Sequence, residues 1–506
     1  MTRPGTILPR DAWNQKLVAN VHPPEWQNPK PATRYDLVVL GAGTAGLVTA
    51  VVSAGLGARV ALVERHLMGG DCLNVGCVPS KTLIRAARAA ADVRDATRFG
   101  VRVPDGVTVD FAEVMARVRR VRAEISPHDS AQRFASLGVD VFLGEGRFTS
   151  PETLEVSGAK LRFKRAVVAT GARAVALPIP GLVDSGFLTN ETVFELEALP
   201  ARLAVIGAGP IGCEIAQAFA RLGSRVTLVE VAKQVLIRED PDAAAIVQEA
   251  LVRDGVELVL DANVARIERR GDSRVLHVGV GGAAREVEVD AILVGIGRAP
   301  NVEGIGLEAA GVAFDAKLGV TVDDTLRTTS RRIFAAGDVC MATKFTHAAD
   351  AAAKLVVRNA FFFGRGKVSS LRVPWCTYTD PEVAHVGLYA RDAEASGIAI
   401  DTYTTPLEAN DRSRAEGEAH GFVKIYVKRG TDAVLGATIV ARHAGDLIAT
   451  LALAMSAGYG LGRFVELILP YPTQAEAIKA TSGAYTRTRL TPTVARLLKG
   501  LIGLAR

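Results

Sequence analysis

The chain has 506 residues, with 60 basic against 54 acidic side chains and a net charge of +6. Its length predicts about three domains, and a composition 49% hydrophobic and 23% charged excludes a disordered or collagen-like polymer. Five cysteines are too few for a stapled secreted scaffold, no like-charge run marks a nucleic-acid partner, and no apolar run nears the ~20 residues of a bilayer span. The N-terminus lacks the apolar core of a secretory signal, so a cytoplasmic α/β protein is expected.

Residues 1–34 carry six prolines and read as an extended arm, with Trp13 and Trp26 as anchors. Tyr35 to Leu40 is a predicted strand, followed by a Gly-rich turn, a helix and the strand Val60 to Val63. The pattern returns at Leu203 to Ile206 and Val226 to Val229. In both copies 23 positions separate the first glycine from a terminal acid, Gly41 to Glu64 and Gly207 to Glu230. The repeat predicts two dinucleotide-binding units. In each, the first glycine allows a tight turn, the second (Gly43, Gly209) lets backbone approach a pyrophosphate, and the third (Gly46, Gly212) lets helix pack on strand. Glu230 is expected to accept ribose hydroxyls and repel a 2′-phosphate, which predicts NADH as the preferred donor, with NADPH as the alternative.

Cys72 and Cys77 have four residues between them and lie where a helix is predicted to begin near Pro79. A thiolate there gains from the helix N-terminus and from Lys81, so a lowered pKa and a redox disulfide are expected. No nearby Cys or His pair completes a metal site, and none is predicted. Further strands are read at Ala166 to Ala169 and Ala291 to Val294. From about residue 370, alternating segments such as Gly421 to Val427 predict an antiparallel sheet, and Leu447 to Leu461 a buried helix. Cys213, Cys340 and Cys376 are single and read as small apolar residues.

The segment GGDCLNVGCVPSK, both glycine motifs, Ala169-Thr170-Gly171 and Ala335-Ala336-Gly337-Asp338 together resemble the flavin-dependent disulfide oxidoreductases over roughly residues 35–480. The resemblance implies two Rossmann-like, doubly wound α/β domains and a C-terminal α+β dimerisation domain. FAD is expected in 35–185 with 300–369, the nicotinamide nucleotide in 186–299, pairing of two copies through 370–485, and a tail at 486–506. By carry-over, Cys77 stacks on the flavin, Cys72 exchanges with the acceptor, and Lys81 pairs with Glu214 near the flavin. FAD-contacting positions are then Gly41, Gly43, Thr44, Gly46, Glu64, Arg65, Gly70, Asp71, Lys81, Gly146, Thr170, Gly171, Asp338, Thr346 and His347. Those for the nicotinamide nucleotide are Gly207, Gly209, Pro210, Ile211, Gly212, Glu230, Gly297 and Arg298.

Thiol-exchanging members carry His-Pro-Thr-x-x-Glu near the C-terminus, and this chain has Tyr471-Pro472-Thr473-Gln474-Ala475-Glu476. A phenol is a poor base at neutral pH; bringing it there takes about three pKa units, roughly 4 kcal/mol. The replacement resembles mercuric reductases, although the last residues here, Lys499 to Arg506, hold none of the C-terminal cysteines of those enzymes. A mercuric-reductase-like oxidoreductase acting on a metal ion or small electrophile is therefore expected, with Tyr471 and Glu476 of a second copy lining the acceptor site. The alternatives are a dihydrolipoamide dehydrogenase or related disulfide reductase, and a low-turnover redox-sensing flavoprotein. In the tail, Thr491 and Pro492 start an amphipathic helix whose apolar face carries Val494, Leu497, Leu498, Leu501, Ile502 and Ala505. It is expected to dock on its own dimer, with a membrane surface as the second reading.

Overall fold

The computed structural model describes residues 7–362 and 364–505; the first six residues of the expected arm and Arg506 of the tail lie outside them. The chain divides into two compact units, residues 1–231 with 255–371, and residues 232–254 with 372–506.

The first unit holds two sheets built around parallel strands. In one, Val139–Leu143, Val60–Glu64, Tyr35–Leu40, Ala159–Val168 and Ile333–Ala335 run parallel in that order. Thr153–Val156 and Gly146–Ser150 extend it antiparallel. These strands are runs of Val, Leu, Ile and Ala because both sheet faces are covered; Val38, Val63, Phe142, Phe163 and Val168 are buried in one core. The second sheet is Val256–Val259, Arg225–Val229, Arg202–Ile206 and Ala291–Val294, all parallel. Both predicted βαβ units are thus present, and the chain returns to the first sheet at Ile333–Ala335 after completing the second.

The predicted extended arm is instead partly folded. Asp11 caps a helix, Ala12–Val21, by accepting the Asn14 N–H at 2.8 Å. Leu17 and Val21 are fully buried, and the helix packs on Phe111–Ile125. Apolar residues one turn apart overrode the local proline signal.

In the second unit five antiparallel strands run in the order Trp375–Thr377, Glu382–Gly387, Val434–Ala441, Phe422–Lys428, Ile400–Pro406. Helices Ala444–Ser456 and Glu476–Arg489 share their core. The helix read over Leu447 to Leu461 begins three residues earlier and stops at Ser456, just before Gly458 adopts φ +71°. The tail helix, Pro492–Leu504, is capped by Thr491 as expected and has no buried residue. Among the described residues, no helix is long and apolar enough to cross a membrane.

Candidate functional site

The helix carrying the second cysteine runs Cys77–Asp95, two residues earlier than predicted, so Cys77 lies in its first turn. Cys72 is on the short helix Gly70–Asn74. Gly76 joins the two helices where a Cβ would come 2.7 Å from the Asp71 carbonyl oxygen. The sulfurs share a hydrogen bond. That bond lowers the Cys77 pKa to about 6, helped by the Thr346 hydroxyl and the Lys81 charge against the cost of burial. Cys72 holds the shared proton and its pKa is pushed well up. The shared bond, the Thr346 hydroxyl and the Lys81 charge thus favour negative charge on Cys77 over Cys72.

Two further groups converge on Cys77. Thr346, the first residue of the helix Thr346–Phe361, places Oγ1 3.3 Å from Sγ. Lys81, one turn along from Cys77, places Nζ 2.7 Å from Glu214 Oε2. Glu214 is buried on the helix Pro210–Leu222, so the pairing expected for Lys81 is present. His347 follows Thr346, its ring stacked on Phe345 at 5.5 Å.

The two glycine motifs have the same geometry. Gly41 (φ +102°) and Gly207 (φ +101°) adopt a backbone closed to side chains. A Cβ on Gly46 or Gly212 would lie 1.8 Å from the carbonyl oxygen of Gly41 or Gly207. Before the second glycines there is room: nothing lies within 4 Å of a Cβ on Gly209, and only Gly70 Cα, at 3.8 Å, near one on Gly43. Thr44 and Pro210 open the helices that follow. Each terminal acid grips its own glycine turn, Glu64 accepting the Ala42 N–H at 2.7 Å and Glu230 the Ala208 N–H at 2.6 Å. Burial pushes the Glu64 pKa up, against the N–H groups of Ala42 and His66 and the adjacent Arg65. Beside Glu230, a cavity of about 380 Å³ is lined by Leu177, Ile179, Ile206, Val229, Val264 and Ile296.

Arg298 ion-pairs with Asp71 and sits 3.7 Å from Asp338. Burial would lower the Arg298 pKa, but Asp71 outweighs it; the Asp338 pKa is raised by burial. Thr170 and Asn301 staple these segments by reciprocal bonds, Thr170 Oγ1 to the Asn301 carbonyl at 2.7 Å and Asn301 Nδ2 to the Thr170 carbonyl at 2.9 Å. Gly171 and Gly297 turn there with φ +70° and +76°. Gly146 is accounted for by packing, since its Cβ would meet Leu40 Cδ1 at 2.5 Å. Ile211 is partly exposed.

These residues fit a flavin dinucleotide and a nicotinamide nucleotide. Open backbone faces two helix N-termini suited to diphosphates, an apolar slot suits a flat ring, and the Cys77 sulfur lies at a third helix start. In the second unit, Tyr471 donates its hydroxyl to Asp411 Oδ2 at 2.9 Å, and Glu476 accepts the Thr473 N–H at 3.2 Å. The Asp411 bond raises the Tyr471 pKa. Asn301 and Asp411 were not foreseen from sequence, because neither belongs to a recognisable motif.

The family profile "Pyridine nucleotide-disulphide oxidoreductase" matches residues 35–353, and the dimerisation domain of the same family matches residues 373–482. Mercuric reductase of Bacillus cereus is 36% identical over 445 residues, covering 88% of this chain and 70% of that protein. Dihydrolipoyl dehydrogenase of Chlamydia muridarum is 33% identical over 451 residues, covering 87% and 95%. The HOCl-induced flavoprotein disulfide reductase RclA from Escherichia coli superposes with a TM-score of 0.80 at 29% identity, covering 89% of this chain and 99% of that one, and has also been solved as a Cu(II) complex. Members of this family use FAD and NAD(P)H, and the chain belongs to it as a flavoprotein oxidoreductase of the pyridine nucleotide-disulphide type.

Proposed function

We propose that the protein carries electrons from NADH through the Cys72–Cys77 couple to a soft metal ion or comparable electrophile. The observation that carries this reading is Tyr471, a hydroxyl donating to Asp411 where thiol-exchanging relatives would need a base. FAD, when bound, supplies hydride uptake from the nicotinamide and two-electron delivery to sulfur. The two electrons and the proton of that hydride convert the S–S bond into a Cys72 thiol and a Cys77 thiolate. A divalent ion binding both sulfurs displaces that proton to solvent and takes the two electrons as the S–S bond re-forms, with no general base needed; thiolates select such ions. The mercuric reductases among the relatives and the Cu(II) complex of RclA support this acceptor class.

In this reading, residues 35–185 with 300–369 hold FAD, 186–299 hold the nicotinamide nucleotide, and 370–485 pair two copies in the cytoplasm. Tyr471 and Glu476 of one copy line the acceptor site of the other. The test is steady-state NADH and NADPH oxidation against mercuric ion, cupric ion, lipoamide and glutathione disulfide. Turnover led by a metal ion is the expected result. The similarity to dihydrolipoyl dehydrogenase supports a second reading, disulfide reduction; strong lipoamide turnover would establish it and sink the first.

A further inference from the structure

Helix Ala12–Val21 lies outside the region matched by the family profile, which starts at residue 35. It is nevertheless wired to the loop between the two cysteines. The Arg122 side chain is 2% exposed. It donates from one terminal nitrogen to the Asn74 carbonyl at 2.7 Å and from the other to Asn14 Oδ1 at 2.8 Å. Asn74 lies between Cys72 and Cys77, and its carboxamide donates to the carbonyls of Met68 (3.1 Å) and Gly70 (2.8 Å). The same arm holds the loop from its other side: the Met68 N–H donates to the Val21 carbonyl at 3.1 Å, and the His22 ring bonds the His66 carbonyl. Arg119 beside Arg122 pairs with Asp11, the cap of the helix. Asn14 is buried with the arginine it holds.

We propose that the N-terminal helix is a strap that holds the Cys72–Cys77 loop in register through Asn14 and Arg122. Asn14 and Arg122 are positioning residues, since neither touches sulfur. The buried Arg122 guanidinium has no partner at Nε among the described residues, so the Asn74 carbonyl and Asn14 Oδ1 are the acceptors that fix its geometry. With Asn14 in place, Arg122 pins the last residue of the Cys72 helix, and the bond between the sulfurs is held. Without it the helix Gly70–Asn74 opens more often and that bond weakens. The inference rests on the redox-pair reading, but its test separates the two.

In the full-length flavoprotein, Asn14→Leu should raise amide exchange across residues 70–76 by about tenfold, the scale of one lost buried hydrogen bond. Exchange at Val38 and Val167 in the central strands should not change. The Cys77 thiolate titration of the reduced protein should move up from about 6, and Asn14→Asp, which keeps an acceptor for Arg122, should restore both readouts. Unchanged exchange and an unchanged titration in Asn14→Leu would overturn the strap. Should that variant not fold, exchange in the wild-type chain decides: amides of residues 12–21 and of Val75 opening with one free energy support the strap, and independent opening refutes it. If Cys77→Ser leaves the wild-type titration intact, the redox-pair reading fails, and the strap is then judged on exchange alone.

Discussion

Lys81 and Glu214 join the cysteine-bearing helix to the helix of the second glycine motif, Nζ to Oε2 at 2.7 Å. The two charges act on Cys77 with opposite sign, Lys81 lowering its pKa and Glu214 raising it. Lys81→Met should therefore move the thiolate titration of the reduced protein upward by about one unit, and Glu214→Gln should move it downward by a smaller step. Thiolate absorbance followed against pH measures both. Two shifts in the same direction would show that the pair acts through packing and not through charge.

What sequence alone revealed of this site follows from locality. The two glycine motifs, the cysteine pair and the Lys81 turn are each set by backbone rules within a few residues, so the residues themselves announce them. The Lys81–Glu214 contact, 133 positions apart, was reached only through family resemblance. Asn301, which staples Thr170, and Arg122, which reaches Asn74, depend on chain segments that meet only after folding, and no local pattern marks them. The N-terminal helix was misread for a related reason: its prolines flank ten helical residues, and the apolar face that buries Leu17 and Val21 exists only against the helix Phe111–Ile125.

The phenol at Tyr471 is held as a donor by Asp411, which raises its pKa, so its protonation state should not change across the neutral range. Tyr471→Phe should leave the pH profile of metal-ion turnover the same as the parent's between about pH 6 and about pH 8. Tyr471→His should introduce lipoamide reduction with a pH dependence set by the new imidazole. Lipoamide kinetics of the two variants beside the parent provide the check, and no gain in the histidine variant would remove Tyr471 from the acceptor site.

Glu230 directly follows the strand Arg225–Val229, with one oxygen on the Ala208 N–H, which leaves its negative charge at the mouth of the second glycine turn. A 2′-phosphate approaching that charge is repelled. Glu230→Ala should raise the NADPH to NADH ratio of kcat/KM by about tenfold, the equivalent of roughly 1.4 kcal/mol. Steady-state kinetics with both nucleotides measures it, and an unchanged ratio would assign discrimination elsewhere.

The tail helix Pro492–Leu504 exposes Leu497, Leu501 and Ile502 on one face, the kind of apolar patch that marks an interaction surface. Docking on the second copy predicts that removing residues 490–506 weakens self-association, read as average mass against concentration, and leaves liposome co-sedimentation unchanged. Loss of sedimentation at constant mass would reassign the tail to a membrane surface.

His385 ties stability to pH in the second unit. It is fully buried, accepts from the Thr438 hydroxyl at 2.8 Å, donates to the Gly387 carbonyl at 3.2 Å, and stacks on Tyr389 at 3.6 Å. Donation to a carbonyl requires the proton on Nε2, so Nδ1 is the acceptor. Burial pushes the pKa down to about 3. The unfolded chain takes up its proton near the free value of about 6.5, so the stabilisation is complete above that pH and is lost progressively down to about 3. For this one proton the loss is about 2 kcal/mol between about pH 6.5 and about pH 5. Glu239, whose pKa burial raises, acts in the opposite sense, because its buried charge is relieved as pH falls. The imidazole is therefore isolated by comparison: His385→Phe keeps a ring against Tyr389 and removes the titration. Urea unfolding followed by Trp375 fluorescence, a ring 4.6 Å from His385, should show a shallower acid dependence in the variant, and equal slopes in the two proteins would assign the acid sensitivity to the carboxylates.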